Sequence, residues 1–332
     1  YNQYHLLFQI CIKNIVEKLA QFNHPLIANF AGYSPFDFEG RPKPVIITEF
    51  PTNESLKYIF ENQELINSNS DNWDSTTKLI TIYGIASGMK YLHSQNIDCY
   101  SLIPENILFD QHFYPKIKFE FTNKEMIKNV PYIYKAPETY EKGEYTKSSE
   151  VYTFSMILYE IIMNEKPFKN IEKDKIKEEI TINHYRPQIK KSIPKCYKEL
   201  IESCWSYDPK QRPTFETIVN ILELNTEFIT KDIDKQTYKD YIQYLNKNSN
   251  KFKTKSTSNK NLDIKKYAKL DKIGQGSFSK VYKIKNKFTN EILAAKKLND
   301  ISTNEENDKD YIIILREIKI SLKLNHPSIL KF

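Results

Sequence analysis

The stretch Tyr91 to Asp110, YLHSQNIDCYSLIPENILFD, lies between strong local patterns that limit what can surround it. Ahead of it, Asp74 or Ser75 can cap a long helix running to about His93. Behind it, Ile107-Leu108-Phe109 and Pro115 to Phe121 read as two short strands around a turn at Asp110 to Tyr114. Further on, Glu150 to Met163 (EVYTFSMILYEIIM) is apolar on nearly every face, the pattern of a helix buried all round. The loop must therefore belong to a unit with a helical core.

At 332 residues, 40% of them apolar and 13% aromatic, the chain can fill one large or two modest domains. The net charge of +7 is a small excess of 49 basic over 42 acidic residues, which predicts a solvated mixed surface rather than a nucleic-acid groove. Cys11, Cys99, Cys196 and Cys204 show no metal-ligand spacing, so a reduced, cytoplasmic setting is expected. No apolar run is long enough to span a bilayer and no signal peptide opens the chain. Because Tyr1 is not Met, the chain is expected to be a piece of a longer product.

Residues 5–22 carry apolar positions at helical spacing and end at Asn23-His24-Pro25, before a strand from Leu26 to Tyr33. A helix containing Glu317 and ending at Asn325-His326-Pro327 repeats that arrangement near Phe332. Between them, Pro44 to Phe50 reads as a buried strand, and Ser55 to Phe60 starts a short helix. The last helix of the first part ends at about Leu224. Residues 225–266 turn polar and Lys-rich, with little periodicity after Leu245, and read as a linker. Leu270 to Tyr282 (LDKIGQGSFSKVY) then reads as a hairpin and Ile292 to Leu298 as a third strand.

Gly274, Gly276, Val281, Ala294, Lys296 and Glu317, in this order and spacing, resemble the N-lobe of the protein kinase family. The resemblance implies ATP as cofactor: the glycines let backbone N–H groups approach phosphates, Lys296 neutralises them, and Glu317 orients Lys296. The first part of the chain resembles the same family at Thr48 to Pro51, at Leu102 and Pro104 to Leu108, and at Ala136-Pro137-Glu138 with Arg212. It is most similar to the tyrosine-kinase-like group of Ser/Thr kinases.

The same register marks what is missing. Ser101 stands in the place of the catalytic base, and it cannot carry a negative charge at neutral pH. Ile103 replaces the family's loop Lys, and Phe119 replaces its Mg²⁺-binding Asp. Asn106 is the one metal ligand retained, so Mg²⁺ is not expected to be held in the first part as the family holds it, and no catalytic residue is intact.

The expected fold is α+β and protein kinase-like, a mostly helical C-lobe plus a β-rich N-lobe placed C-terminally. Residues 1–224 would form a kinase-like domain lacking most of its N-lobe, 225–266 a linker, and 267–332 the truncated N-lobe of a second kinase domain. The first domain is expected to be a pseudokinase, a scaffold or allosteric regulator. Its partners would be proteins, including another kinase domain of the same full-length protein, with neither nucleic acid nor membrane among them. The alternative is a fragment of an active ATP-dependent Ser/Thr kinase whose catalytic loop lies beyond Phe332. A third arrangement folds the C-terminal N-lobe back onto the first part as a circular permutation; residues 1–33 and 311–332 would then compete for one place.

Overall fold

The computed structural model describes residues 30–41, 45–50, 53–62, 73–100, 102–118, 130–252, 262–275 and 279–298. They fall into two compact units, one drawn from Asn29–Phe50 and Thr254–Phe332, the other from Pro51–Lys253. The strands are β1 (Phe30–Ser34), β2 (Val45–Glu49), β3 (Asn53–Ser55), β4 (Ile107–Phe109), β5 (Pro115–Ile117), β6 (Tyr267–Gln275), β7 (Ser279–Asn286) and β8 (Ile292–Leu298). The helices are α1 (Leu56–Glu61), α2 (Ser75–Ser94), α3 (Pro137–Glu141), α4 (Lys147–Met163), α5 (Ile176–Thr181), α6 (Lys195–Cys204), α7 (Phe215–Leu224) and α8 (Lys235–Phe252).

In the helical unit, α4 is the helix whose sequence has no polar face, and every residue from Ser149 to Ile161 is buried. Thr146 and Ser149 form a capping box at its start, and Asn164 closes it in the left-handed conformation, φ 58°. The long helix α2 begins where Asp74 accepts the Thr77 N–H at 2.7 Å, so Asp74 rather than Ser75 is its cap. The small antiparallel sheet β3-β4-β5 follows the expected turn at Asp110 to Tyr114.

Residues 225–266, expected as a linker, instead contain α8. The physical reason is a narrow apolar stripe among polar residues: Tyr238, Tyr241 and Leu245 recur at helical spacing and are all buried. Tyr241 packs against Tyr83 of α2 and Tyr114, with ring centroids 6.2 and 4.5 Å away. Its hydroxyl lies against Gly84, where an added Cβ would fall 2.4 Å from both that oxygen and Pro115 Cγ.

The other unit is an antiparallel five-stranded sheet ordered β1-β2-β8-β7-β6. Residues 267–298, expected as part of a separate second N-lobe, thus share one sheet with residues 30–49. Strands β2 and β8 pair from Val45↔Lys297 to Glu49↔Leu293 without a register shift. The expected helices over residues 5–22 and around Glu317, and Gly276 in the β6–β7 turn, lie outside the described residues.

Candidate functional site

Directly opposed residues of an antiparallel pair share a sheet face, and neighbours along a strand alternate. The pairs Val281↔Lys296, Lys283↔Ala294 and Thr48↔Ala294 therefore put Thr48, Val281, Ala294 and Lys296 on one face. Gly274 lies opposite Val281. A Cβ at Gly274 would meet only Val281, at 3.7 Å, so packing does not demand glycine there. A cation beside small residues on a sheet face fits the phosphates of a nucleotide. Glu317, assigned by the resemblance to orient Lys296, lies outside the described residues.

Lys297 turns to the opposite face, where its Nζ lies 3.0 Å from Asp37 and 2.8 Å from Glu39. The Asp37 carboxylate also accepts the Glu39 and Arg41 N–H groups at 3.0 and 2.9 Å. Burial by itself would raise the Asp37 carboxyl, but the hydrogen bonds from Arg41 and Lys297 outweigh it and hold it well below the carboxylate range. Sequence reasoning missed this cluster. Its signal was alternation: adjacent lysines at the end of a strand serve opposite faces.

In the helical unit, Pro104–Asn106 form one 3₁₀ turn that carries the chain from the loop into β4. The Asn106 N–H donates to the Ile103 carbonyl at 2.9 Å and the Asn106 carbonyl accepts the Lys118 N–H at 2.7 Å. Cys99, Leu102 and Pro104 are buried, and Ile103 packs against the core. The loop is thus anchored by its apolar frame together with Ile103, which stands where the resemblance places a lysine. Ser101 and Phe119, the other degenerate positions, lie outside the described residues. Among the described residues there is no group of three His, Cys, Asp or Glu side chains that could hold a metal ion.

Glu105 in the same turn pairs with Lys57 of α1 at 2.8 Å, and both side chains are more than a third exposed. Lys57→Ala is therefore expected to change unfolding stability by less than about 1 kcal/mol in urea titrations. Below the loop, Glu150 Oε2 lies 2.6 Å from His93 Nε2. Burial pushes the Glu150 carboxyl well up and the His93 imidazole down to about 4. The Glu150 side chain thus reaches from the start of α4 to the end of α2. Tyr134 donates to Glu160 at 2.6 Å, and burial raises the Glu160 carboxyl to about 7.

The most completely satisfied group is Arg212. Its Nη1 and Nη2 donate to Glu138 Oε1 and Oε2 at 2.7 and 2.9 Å. Its remaining donors meet the carbonyls of Ser206, Ser148 and Tyr207. Ser149 adds a 2.7 Å bond to Glu138, and both charged side chains are buried.

The profile of the protein tyrosine and serine/threonine kinase family matches residues 11–222, more than half of the chain. The chain belongs to the protein kinase family and has its α+β fold, with a β-sheet N-lobe and a helical C-lobe. A protein kinase domain profile separately matches residues 267–332. A Dictyostelium discoideum protein described as a probable serine/threonine-protein kinase is 30% identical over 215 residues, covering 62% of this chain and 16% of that protein. A dual-specificity protein kinase of the same organism is 26% identical over 234 residues, 63% of this chain and 9% of its own length. A serine/threonine/tyrosine-protein kinase of Arabidopsis thaliana is 27% identical over 228 residues, 67% of this chain and 56% of the relative. The chain thus spans well under two thirds of these relatives. Among the described residues, no helix is long and apolar enough to cross a membrane.

Proposed function

We propose that the helical unit is a pseudokinase module, a regulatory scaffold for protein partners, and that the sheet unit takes ATP through Gly274, Val281, Ala294 and Lys296. The observation that carries this reading is the catalytic loop. Its frame is kept from Leu102 to Phe109, with Pro104–Asn106 in a defined turn, while Ile103 gives the place of a phosphoryl-stabilising cation to core packing. The sequence adds Ser101 and Phe119 at the two carboxylate positions. A loop so built keeps a shape that a partner can read and lacks the charges that phosphoryl transfer requires. Another kinase domain of the same full-length protein is the partner this reading favours.

Thermal-shift titration tests it, because a ligand that binds only the folded state raises its stability. ATP is expected to raise the melting temperature equally with and without Mg²⁺, and labelled ATP to give no phosphate transfer to protein substrates. A metal-dependent shift, or transfer above background, would overturn the pseudokinase reading. The separate match of residues 267–332 favours a second reading, in which that stretch opens an active Ser/Thr kinase domain whose base lies further along. An intact His-Arg-Asp and Asp-Phe-Gly in the downstream coding sequence would decide for it.

A further inference from the structure

We propose that the cavity between the end of α4 and residues 185–191 is a docking site for an acidic peptide segment of a partner protein, which sets an aromatic side chain in the cavity and carboxylates on either side of it. Its role rests on the reading of the helical unit as a scaffold for protein partners, and none of its residues belongs to the catalytic loop.

The cavity holds about 420 Å³, inside the range of roughly 300–1,000 Å³ common for ligand pockets, and lies wholly within the helical unit. The local sequence builds both of its walls. Helix α4 stops where Asn164 turns left-handed, and Phe168 follows in the same region at φ 59°, a conformation that a bulky residue seldom adopts. The Phe168 ring is buried, with its centroid 6.2 Å from that of Tyr185 on the other wall. Residues 184–190 of that second wall form neither helix nor strand. Arg186 fixes them by donating from Nε to the Trp205 carbonyl at 2.9 Å, and the Tyr159 hydroxyl meets the Gln188 carbonyl at 3.3 Å. Both walls are thus held by the protein's own bonds, which lowers the cost of binding.

The chemistry of the lining selects the occupant. Tyr159, Phe168 and Pro187 are buried and supply its apolar part. Lys166, Lys169, Lys190 and Lys191 are exposed around it, against a single lining carboxylate, Glu165. That carboxylate gathers the rim: Oε2 takes Lys169 and lies 3.7 Å from Lys190, so lysines from both walls converge on one point. Tyr185, 40% exposed, continues the aromatic surface outward. An aromatic anchor in a pocket supplies affinity, and complementary charge at the rim supplies orientation and encounter rate. A nucleic acid suits this shape less, since a single cavity with an apolar lining offers no track for a phosphate backbone.

Fluorescence polarisation with the unmodified chain and a labelled Glu-Glu-Phe-Glu-Glu peptide tests the site. Binding is expected to be about tenfold or more tighter than for Glu-Glu-Ala-Glu-Glu or Lys-Lys-Phe-Lys-Lys. Lys190→Glu with Lys191→Glu is expected to weaken it by about tenfold or more. The same charge change at Lys235 and Lys239, exposed on α8 and outside the lining, should leave affinity unchanged. No binding by the native chain, equal losses in the two double variants, or indifference to the loss of the Phe ring would each overturn the docking site. A labelled single-stranded oligonucleotide that displaces the peptide from the same lysines would overturn it in favour of nucleic acid. Phosphate transfer by a chain that still binds the peptide would strike the scaffold reading and leave the docking site, whereas absent binding strikes the docking site alone.

Discussion

Arg212→Ala is expected to destabilise the helical unit by about 3–5 kcal/mol, because it leaves the Glu138 carboxylate buried and unpaired. The chain's two tryptophans, Trp73 and Trp205, are both buried in that unit, so urea unfolding followed by their fluorescence reports on it alone. Arg212→Lys keeps a charge but loses the two-pronged contact and the carbonyls of Ser148, Ser206 and Tyr207, so it should recover only part of the loss. Adding Glu138→Gln to Arg212→Ala should also recover part, by removing the stranded charge. A loss below about 1 kcal/mol for Arg212→Ala would show that the pair behaves like a surface bridge.

The same pair sets an acid limit. Burial raises the Glu138 carboxyl, but the hydrogen bonds and charge of Arg212 prevail and its folded pKa lies below the usual value. A carboxyl lowered in this way contributes stability above its unfolded pKa of about 4.3, and that contribution is lost as pH falls through the folded value. Glu138→Gln should therefore flatten the fall in stability below about pH 4. Glu160 acts in the opposite sense, since its raised carboxyl withdraws stability as pH rises from about 4.3 toward about 7.

Gly84→Ala is the second large effect, and its sign runs against helix propensity. In an exposed helix interior the change would gain about 1 kcal/mol. Here the new methyl would lie 2.4 Å from Pro115 Cγ and from the Tyr241 hydroxyl. Displacing a proline ring and a packed helix should instead cost about 1–3 kcal/mol by the same fluorescence measurement. Tyr241→Phe removes one of the two obstacles. Its hydroxyl is buried with no hydrogen-bond partner among the described residues, so that variant alone should be close to neutral and should soften Gly84→Ala. A stabilised Gly84→Ala protein would mean that α8 does not rest on α2.

The helical unit could be read from the sequence because its signals are local. The apolar run from Glu150 to Met163, the cap at Asp74 and the turn after Phe109 each specify their element within a few residues. Helix α8 escaped because its stripe of Tyr238, Tyr241 and Leu245 is thin and its other positions are Lys, Asn and Gln. The sheet was anticipated only in part, since a return of the C-terminal segment to the first part was one of three arrangements and its strand partner was not named. Each strand was visible, but the partner of β8 is a strand near the other end of the chain, and no local pattern names a distant partner. At the site, the resemblance to the kinase family named Val281, Ala294 and Lys296, and the β7–β8 register puts the three on one sheet face. Lys297 could not be told from Lys296 by residue type; only the pleat separates them.

The pairing of Val45 with Lys297 also governs when this protein can become whole during synthesis. The helical unit lies almost entirely within Pro51–Lys253, so its core is available to fold while the ribosome is still making the last strands. Until then the 30–49 hairpin waits with Val45 and Ile47 uncovered. Contacts this distant in sequence are slow to close, and an apolar strand edge in waiting invites pairing with other chains. Premature termination between Lys253 and β8 should therefore release a product with a folded helical unit and a sticky edge.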